Sequence, residues 1–210
     1  GFKEDKVLLM SLGEMSSISP GAEVYPTGES HCVPVGNSLC GRILNALGEP
    51  IDGKGPIRVE AYYPVEAPPP DALTRQRIEE PLQTGVRSID TCCTTGKGQR
   101  IGIFSGSGVG KSSLIGMISK MSSADINVIA LIGERGREVR EFIERDLGYE
   151  GLQRSVVIVA TSDQAALLRA RGAYVATAIA EYFRDHIKNV IFMMDSVTRF
   201  ALAQREIGLS

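Results

Sequence analysis

The 210-residue sequence predicts an α/β fold with a mainly parallel sheet, arranged behind a candidate phosphate-binding loop. Three observations carry this. Four unbroken apolar runs, Ile101–Phe104, Val128–Ile132, Val156–Ala160 and Val190–Met194, suit strands buried on both faces. Helix-period segments lie between them, and strand–helix alternation with right-handed crossovers is the α/β arrangement. Ser105-Gly106-Ser107-Gly108-Val109-Gly110-Lys111-Ser112 follows the first run and opens the first helical segment, which is the context a phosphate loop requires.

Taken in order, Gly1 to about Tyr63 is a different texture. Val7–Met10, Ala22–Tyr25, Cys32–Val35 and Arg42–Leu44 are short apolar runs cut by Ser-Pro-Gly, Pro-Thr-Gly, Val-Gly-Asn and Leu-Gly-Glu-Pro segments. Turn signals at that spacing suggest strands of a small sandwich or barrel, here an incomplete one because so few strands leave open edges. Pro64–Pro70 holds four prolines and reads as a stiff extended connector. The domains are therefore placed at residues 1–63 (part of a β-barrel), 64–80 (Pro-rich connector) and 81–210 (nucleotide-binding). In the last, Ser112–Met121 is the first helix. Arg137–Leu147 is the second, stopping at Gly148, with Val139, Phe142, Ile143 and Leu147 on one face. Gln164–His186 is the third, with Ser162 or Asp163 as its N-cap.

Apolar residues make up 43% and charged residues 23%, so the chain can bury an ordinary core. A net charge of −2 gives no electrostatic reason to expect nucleic acid or an anionic membrane as partner. No apolar run approaches the ~20 residues that span a bilayer. Cys32, Cys40, Cys92 and Cys93 match no metal or redox spacing; Cys92 and Cys93 are read as reduced thiols in small apolar sites. His31 and His186 have no ligand-spaced partner and read as structural or solvated.

In the phosphate loop, glycines let successive backbone N–H groups turn toward phosphate oxygens, and the helix N-terminus adds partial positive charge. Lys111 is placed for the β- and γ-phosphates, and the Ser112 hydroxyl for Mg²⁺. Ser105 stands where the pattern has its first glycine, so the turn there must tolerate a side chain. Ser113 completes the candidate nucleotide contacts, which run over Ser105, Gly106, Ser107, Gly108, Val109, Gly110, Lys111, Ser112 and Ser113. The alternative is a Gly/Ser surface loop followed by a chance Lys-Ser.

An apolar strand ending in Asp195 delivers a carboxylate to the C-terminal sheet edge, where it can hold Mg²⁺ directly or through water. Glu134 ends the Val128–Ile132 run at the same edge, placed to orient and deprotonate an attacking water. Arg135 either pairs with a phosphate oxygen or holds Glu134, and Glu138 reaches the Mg²⁺ water shell. The plain alternative for Gly133–Glu138 is a solvated charge run opening a helix.

With those residues in place, a family resemblance follows. Thr84–Asp90, Gly102–Ser112, Ala130–Asp146 and Met194–Leu209 resemble the ATPases of bacterial type III protein export, flagellar and virulence-associated. These are relatives of the catalytic β subunit of F-type ATP synthase. Ala180–Asp185 and Ala203–Leu209 are the most specific strings. Ser105 replaces a residue that is usually small in that family's loop. The resemblance implies a RecA-like P-loop NTPase domain preceded by part of a small β-barrel domain, with a C-terminal helical domain, assembled as a homohexamer with active sites between subunits. It implies ATP and Mg²⁺ as substrate and cofactor, Lys111 on phosphate, Ser112 on Mg²⁺, Glu134 as general base, Arg135 at the γ-phosphate and Asp195 on the Mg²⁺ side. It implies barrel strands before Gly1. After Ser210 it implies the rest of the sheet, the adenine contacts, an arginine finger and the helical domain, so that the 210 residues alone hydrolyse ATP weakly or not at all.

The implied partners are export-apparatus regulators, a stalk protein, the export gate and chaperone–substrate complexes, with no nucleic acid and no direct membrane insertion. The implied location is the cytoplasm, peripheral to the inner membrane through those partners. Val159–Gln164 with Arg171–Tyr174 leans toward flagellar export. Two other readings stand beside a catalytic subunit: a non-catalytic nucleotide-binding ring subunit, against which Lys111 and Glu134 argue, and a ring RNA helicase, disfavoured by the acidic pI.

Overall fold

The structure, a computed structural model, describes residues 2–4, 6–7, 9–12, 19, 21–106, 108–186 and 189–209. Leu8, Pro20 and Ser107, used above for a strand, a turn and the phosphate loop, lie outside them. The strands are β1 (Phe2–Lys3), β2 (Lys6–Val7), β3 (Cys32–Val35), β4 (Ile43–Leu44), β5 (Ala61–Pro64), β6 (Pro81–Leu82), β7 (Thr95–Gly96), β8 (Ile126–Glu134), β9 (Ser155–Thr161) and β10 (Val190–Asp195). The α-helices are α1 (Arg87–Cys92), α2 (Lys111–Met121), α3 (Gly136–Glu141), α4 (Gly148–Gln153), α5 (Ala166–His186) and α6 (Val197–Leu209). A π-helical turn, Phe142–Leu147, joins α3 to α4.

The central sheet is parallel, in the order β10-β8-β9-β4. The central strands β8 and β9 are largely apolar because both of their faces are covered, whereas β10 at the edge is mostly half-buried, with Phe192 exposed. Side chains alternate across β8: Val128, Ala130 and Ile132 join the core under α5, while Ile129 and Leu131 join the core under α2 and α3. β9 alternates in the same way, Val156, Ile158 and Ala160 toward α5 and Val157 and Val159 toward the other layer. The result is two helical layers around one sheet, with every strand's C-terminal end on one edge.

Several expectations change. Ile101–Phe104 carries no strand pairing, and Phe104 is 96% exposed. A strand buried on both faces needs neighbours along both edges to satisfy its backbone. Among the described residues the sheet ends at β10 on one side and at the two-residue β4 on the other, and Ile101–Phe104 pairs with neither. Arg42–Leu44 yields β4 in the parallel sheet beside β9, not a strand of a barrel; Ala22–Tyr25 forms no strand. β3 pairs antiparallel with β5, and β1 with β2. The four cysteines are free and exposed, so Cys92 and Cys93 do not fill apolar sites. Gly148 ends the π-helical turn with φ 61, but helical structure resumes at once in α4; likewise α5 begins at Ala166, beyond Ser162 and Asp163. His186 behaves structurally, its Nδ1 lying 2.8 Å from the Tyr182 carbonyl oxygen.

Candidate active site

Parallel pairing of β8 with β10 brings Glu134 and Asp195, the last residues of the two strands, to the same sheet edge. The glycine-rich loop reaches that edge from the other side and enters α2 at Lys111. Gly108 and Gly110 take φ values of 76° and 96°, a left-handed conformation that costs other residues about 1–2 kcal/mol. Ser105 is exposed and lies outside that region, so its side chain meets no obstacle. Ser107 lies outside the described residues, and Gly106 and Val109 are exposed.

Lys111 and Asp195 meet directly: Lys111 Nζ donates to Asp195 Oδ1 at 2.5 Å, and the Asp195 side chain is 6% exposed. A carboxylate that secluded needs a cation partner to remain charged. Ser112 follows Lys111 in the first turn of α2, half-buried. Its hydroxyl and the Asp195 carboxylate are hard oxygen donors of the kind Mg²⁺ takes, one or two from protein with the rest from phosphate and water. Among the described residues no group of three or more His, Cys, Asp or Glu side chains could hold a metal by itself. Ser113 Oγ donates to Asp146 Oδ1 at 3.0 Å.

Glu134 is aimed by a β-bulge. The β8–β9 register slips between Ile132 and Glu134, and the residue between them, Gly133, has φ 71. Such a bulge turns the following side chain out of the strand's alternation. A Cβ on Gly133 would also lie 3.0 Å from the Arg199 side chain, so glycine admits the arginine. Arg199 Nη1 sits 2.7 Å from Glu134 Oε2 and donates to the Gly133 carbonyl at 2.5 Å.

Seclusion from water is the main reason the Glu134 carboxyl is pushed up to about 7. A hydrogen bond to Glu138 and the negative charge of Asp195 add to it, while Arg199 opposes. Glu138 moves down, chiefly because it accepts that hydrogen bond, with Arg135 at 3.1 Å assisting. The two carboxyls are thus pulled in opposite directions, Glu134 toward its protonated form and Glu138 toward its carboxylate. A carboxylate poised near neutrality can take a proton from water and return it.

The residues read from sequence therefore fall in two linked groups. Lys111 and Asp195 form one, with Ser112 beside them; Glu134, Glu138 and Arg135 form the other. Arg135 reaches Glu138, and the arginine on Glu134 is Arg199, which the sequence reading did not single out. The signal was available: Arg199 stands four residues after the strand-ending Asp195, one turn into α6, on the edge where Glu134 also ends.

Residues 85–210 match the ATP synthase alpha/beta family, nucleotide-binding domain, and residues 1–28 match the beta-barrel domain of the same family. The flagellum-specific ATP synthase of Bacillus subtilis (strain 168) is 62% identical over 212 residues, covering all of this chain and 48% of the relative. The type 3 secretion system ATPase of Xanthomonas euvesicatoria is 55% identical, again over all of this chain and 48% of the relative. The assembled ATPase EscN with its central stalk EscO, from the type III secretion system of enteropathogenic E. coli, superposes with a TM-score of 0.80 at 52% identity. That match covers 85% of this chain and 44% of the other. The chain spans about half the length of the curated relatives it matches. Because the nucleotide-binding-domain model spans more than half of its residues, the chain belongs to the ATP synthase alpha/beta family.

Proposed function

We propose that the full-length protein hydrolyses ATP to ADP and phosphate with Mg²⁺, as a subunit of a ring that powers flagellar or type III protein export. The observation that carries this is Glu134, held near neutrality at the edge where Lys111 and Asp195 meet. Lys111 and the loop N–H groups hold the β- and γ-phosphates. Mg²⁺, held with the triphosphate by Ser112 and Asp195, supplies neutralisation of the charge that develops on the phosphoryl oxygens. Glu134, as carboxylate, accepts a proton from the attacking water; the new bond forms to the γ-phosphorus as the bond to the bridging oxygen breaks, leaving ADP. Arg199 keeps Glu134 in place, and Arg135 is available to the γ-phosphate once it leaves Glu138. The relatives named for flagellar and type III secretion ATPases, and the one assembled around a stalk, support a homohexameric ring with a stalk protein. Regulators, an export gate and chaperone–substrate complexes complete the proposed partners, and the proposed location is cytoplasmic, at the inner membrane through them. No helix among the described residues is long and apolar enough to cross a membrane.

The test is steady-state hydrolysis of Mg-ATP by the full-length protein, with Lys111→Ala and Glu134→Gln. Turnover should fall by at least ~10²-fold in both, while Glu134→Gln still binds ATP. A wild-type protein that binds ATP but never turns it over is instead a structural ring subunit, and salt-sensitive RNA binding points to a helicase.

A further inference from the structure

We propose that Asp146 is a positioning residue for ATP hydrolysis, fixing the Lys111–Ser112 end of α2 at a set distance from Glu134; this rests on the hydrolytic reading above. Two separate features bring α2 against the π-helical turn Phe142–Leu147. Ser113 Oγ donates to Asp146 Oδ1 at 3.0 Å, immediately next to Ser112. One helical turn on, Gly116 is buried, and a Cβ there would lie 2.5 Å from the Asp146 carbonyl oxygen. Only a residue without a side chain allows this approach. Ile115 from α2, Val139 from α3, and Phe142 and Leu147 from the π turn share one buried core behind the contact.

The π turn continues directly from α3, which starts at Gly136, two residues beyond Glu134, and carries Glu138. Its wider hydrogen-bond spacing places an extra residue per turn, and such turns gather at functional sites. The chain of contacts therefore closes on itself: Glu134, α3, the π turn, Asp146, Ser113, Lys111, Asp195 on β10, and back to Glu134 through the β10–β8 pairing. The side holding phosphate and the side activating water are joined through the sheet on one route and through Asp146 on the other. Breaking the second route leaves the groups present but free to separate, and a misplacement of ~1 Å in such an arrangement can cost up to ~10²-fold in rate.

The experiment compares wild type, Asp146→Ala, Asp146→Asn, Ser113→Ala and the Ser113→Ala/Asp146→Ala double variant in the full-length protein. Asp146→Ala should lower kcat about 10-fold, with KM for ATP changed less than about 3-fold; Ser113→Ala, which also alters a candidate nucleotide contact, should lower kcat at least as much. The double variant should be no worse than Ser113→Ala, because that change already removes the bond Asp146 accepts. Asp146→Asn, whose amide oxygen accepts the same hydrogen bond, should restore kcat. Hydrogen exchange of the α2 amides from Leu114 onward, the first of which bonds the Gly110 carbonyl, should speed up in Asp146→Ala and Ser113→Ala and not in Asp146→Asn. Additive losses, an unchanged kcat in Asp146→Ala, or failure of Asp146→Asn to restore it overturn the proposal. If Asp146→Ala does not fold, Asp146→Leu, which fills similar space without an acceptor, takes its place and is compared with Asp146→Asn. If wild type proves inactive, the hydrolytic reading falls, and unchanged exchange in α2 then overturns the structural link separately.

Discussion

Glu134 retains its proton up to about pH 7, because seclusion from water, Glu138 and Asp195 all disfavour its charge. A general base works as the carboxylate, so turnover of the full-length protein should rise about tenfold per pH unit below 7 and level off above it. A carboxylate at its ordinary value would give a flat profile from pH 6 upward. Glu138→Ala removes a hydrogen bond that favours the proton, and the rising limb should move to lower pH. Arg199→Gln removes a cation that opposes it, and the limb should move to higher pH; opposite shifts in the two pH–rate profiles are the check. The same protonation bears on stability. The folded form binds this proton more tightly than the unfolded chain, so stability falls as pH rises from about 4.5 toward about 7. Glu134→Gln should therefore raise Tm at pH 8 and leave it unchanged at pH 4, measured by thermal unfolding.

Among the elements, β4 depends most on a single ion pair. Only two residues long and on the sheet edge, it is anchored by Asp52, which accepts from Arg42 Nε at 2.7 Å, Arg42 Nη2 at 2.9 Å and the Ile43 N–H at 3.1 Å. Both side chains are nearly buried, at 9% and 3% exposure. Removing one partner strands the other, so Asp52→Ala should cost about 3 kcal/mol, read from denaturant unfolding. The hydrogen bonds from Arg42 hold the Asp52 carboxyl far below the carboxylate range. Its contribution is thus fully present above about pH 3.8 and is lost only in strong acid, so between pH 5 and 4 a variant lacking the pair should show the same slope of unfolding free energy against pH as wild type, lower by that constant cost. Element by element, β8, β9 and β10 were legible in the sequence because strands covered on both faces need continuous apolar runs. β4 was not legible as a member of this sheet, since a short run names no partner. Ile101–Phe104 was legible as apolar but its pairing was not, because pairing depends on which edges are open nearby.

At the scale of the molecule, the proposed ring places each active site between subunits, so the specific ATPase activity of the full-length protein should rise with protein concentration as rings form. Activity independent of concentration over a hundredfold range of dilution, with a monomer by light scattering, would count against shared sites. The sequence by itself determined the α/β class, the loop from Ser105 to Ser112 and the two strand-end carboxylates Glu134 and Asp195. Those are local: glycine spacing, apolar run length and a charge at a run's end are read within a few residues. The tertiary structure decided the rest. It put Lys111 on Asp195 and Arg199, rather than Arg135, on Glu134; it moved β4 into the sheet and set Asp146 against Ser113. Each of these joins residues far apart in the chain. Burial, charge and distance between distant segments exist only once parallel pairing has brought strand ends to one edge.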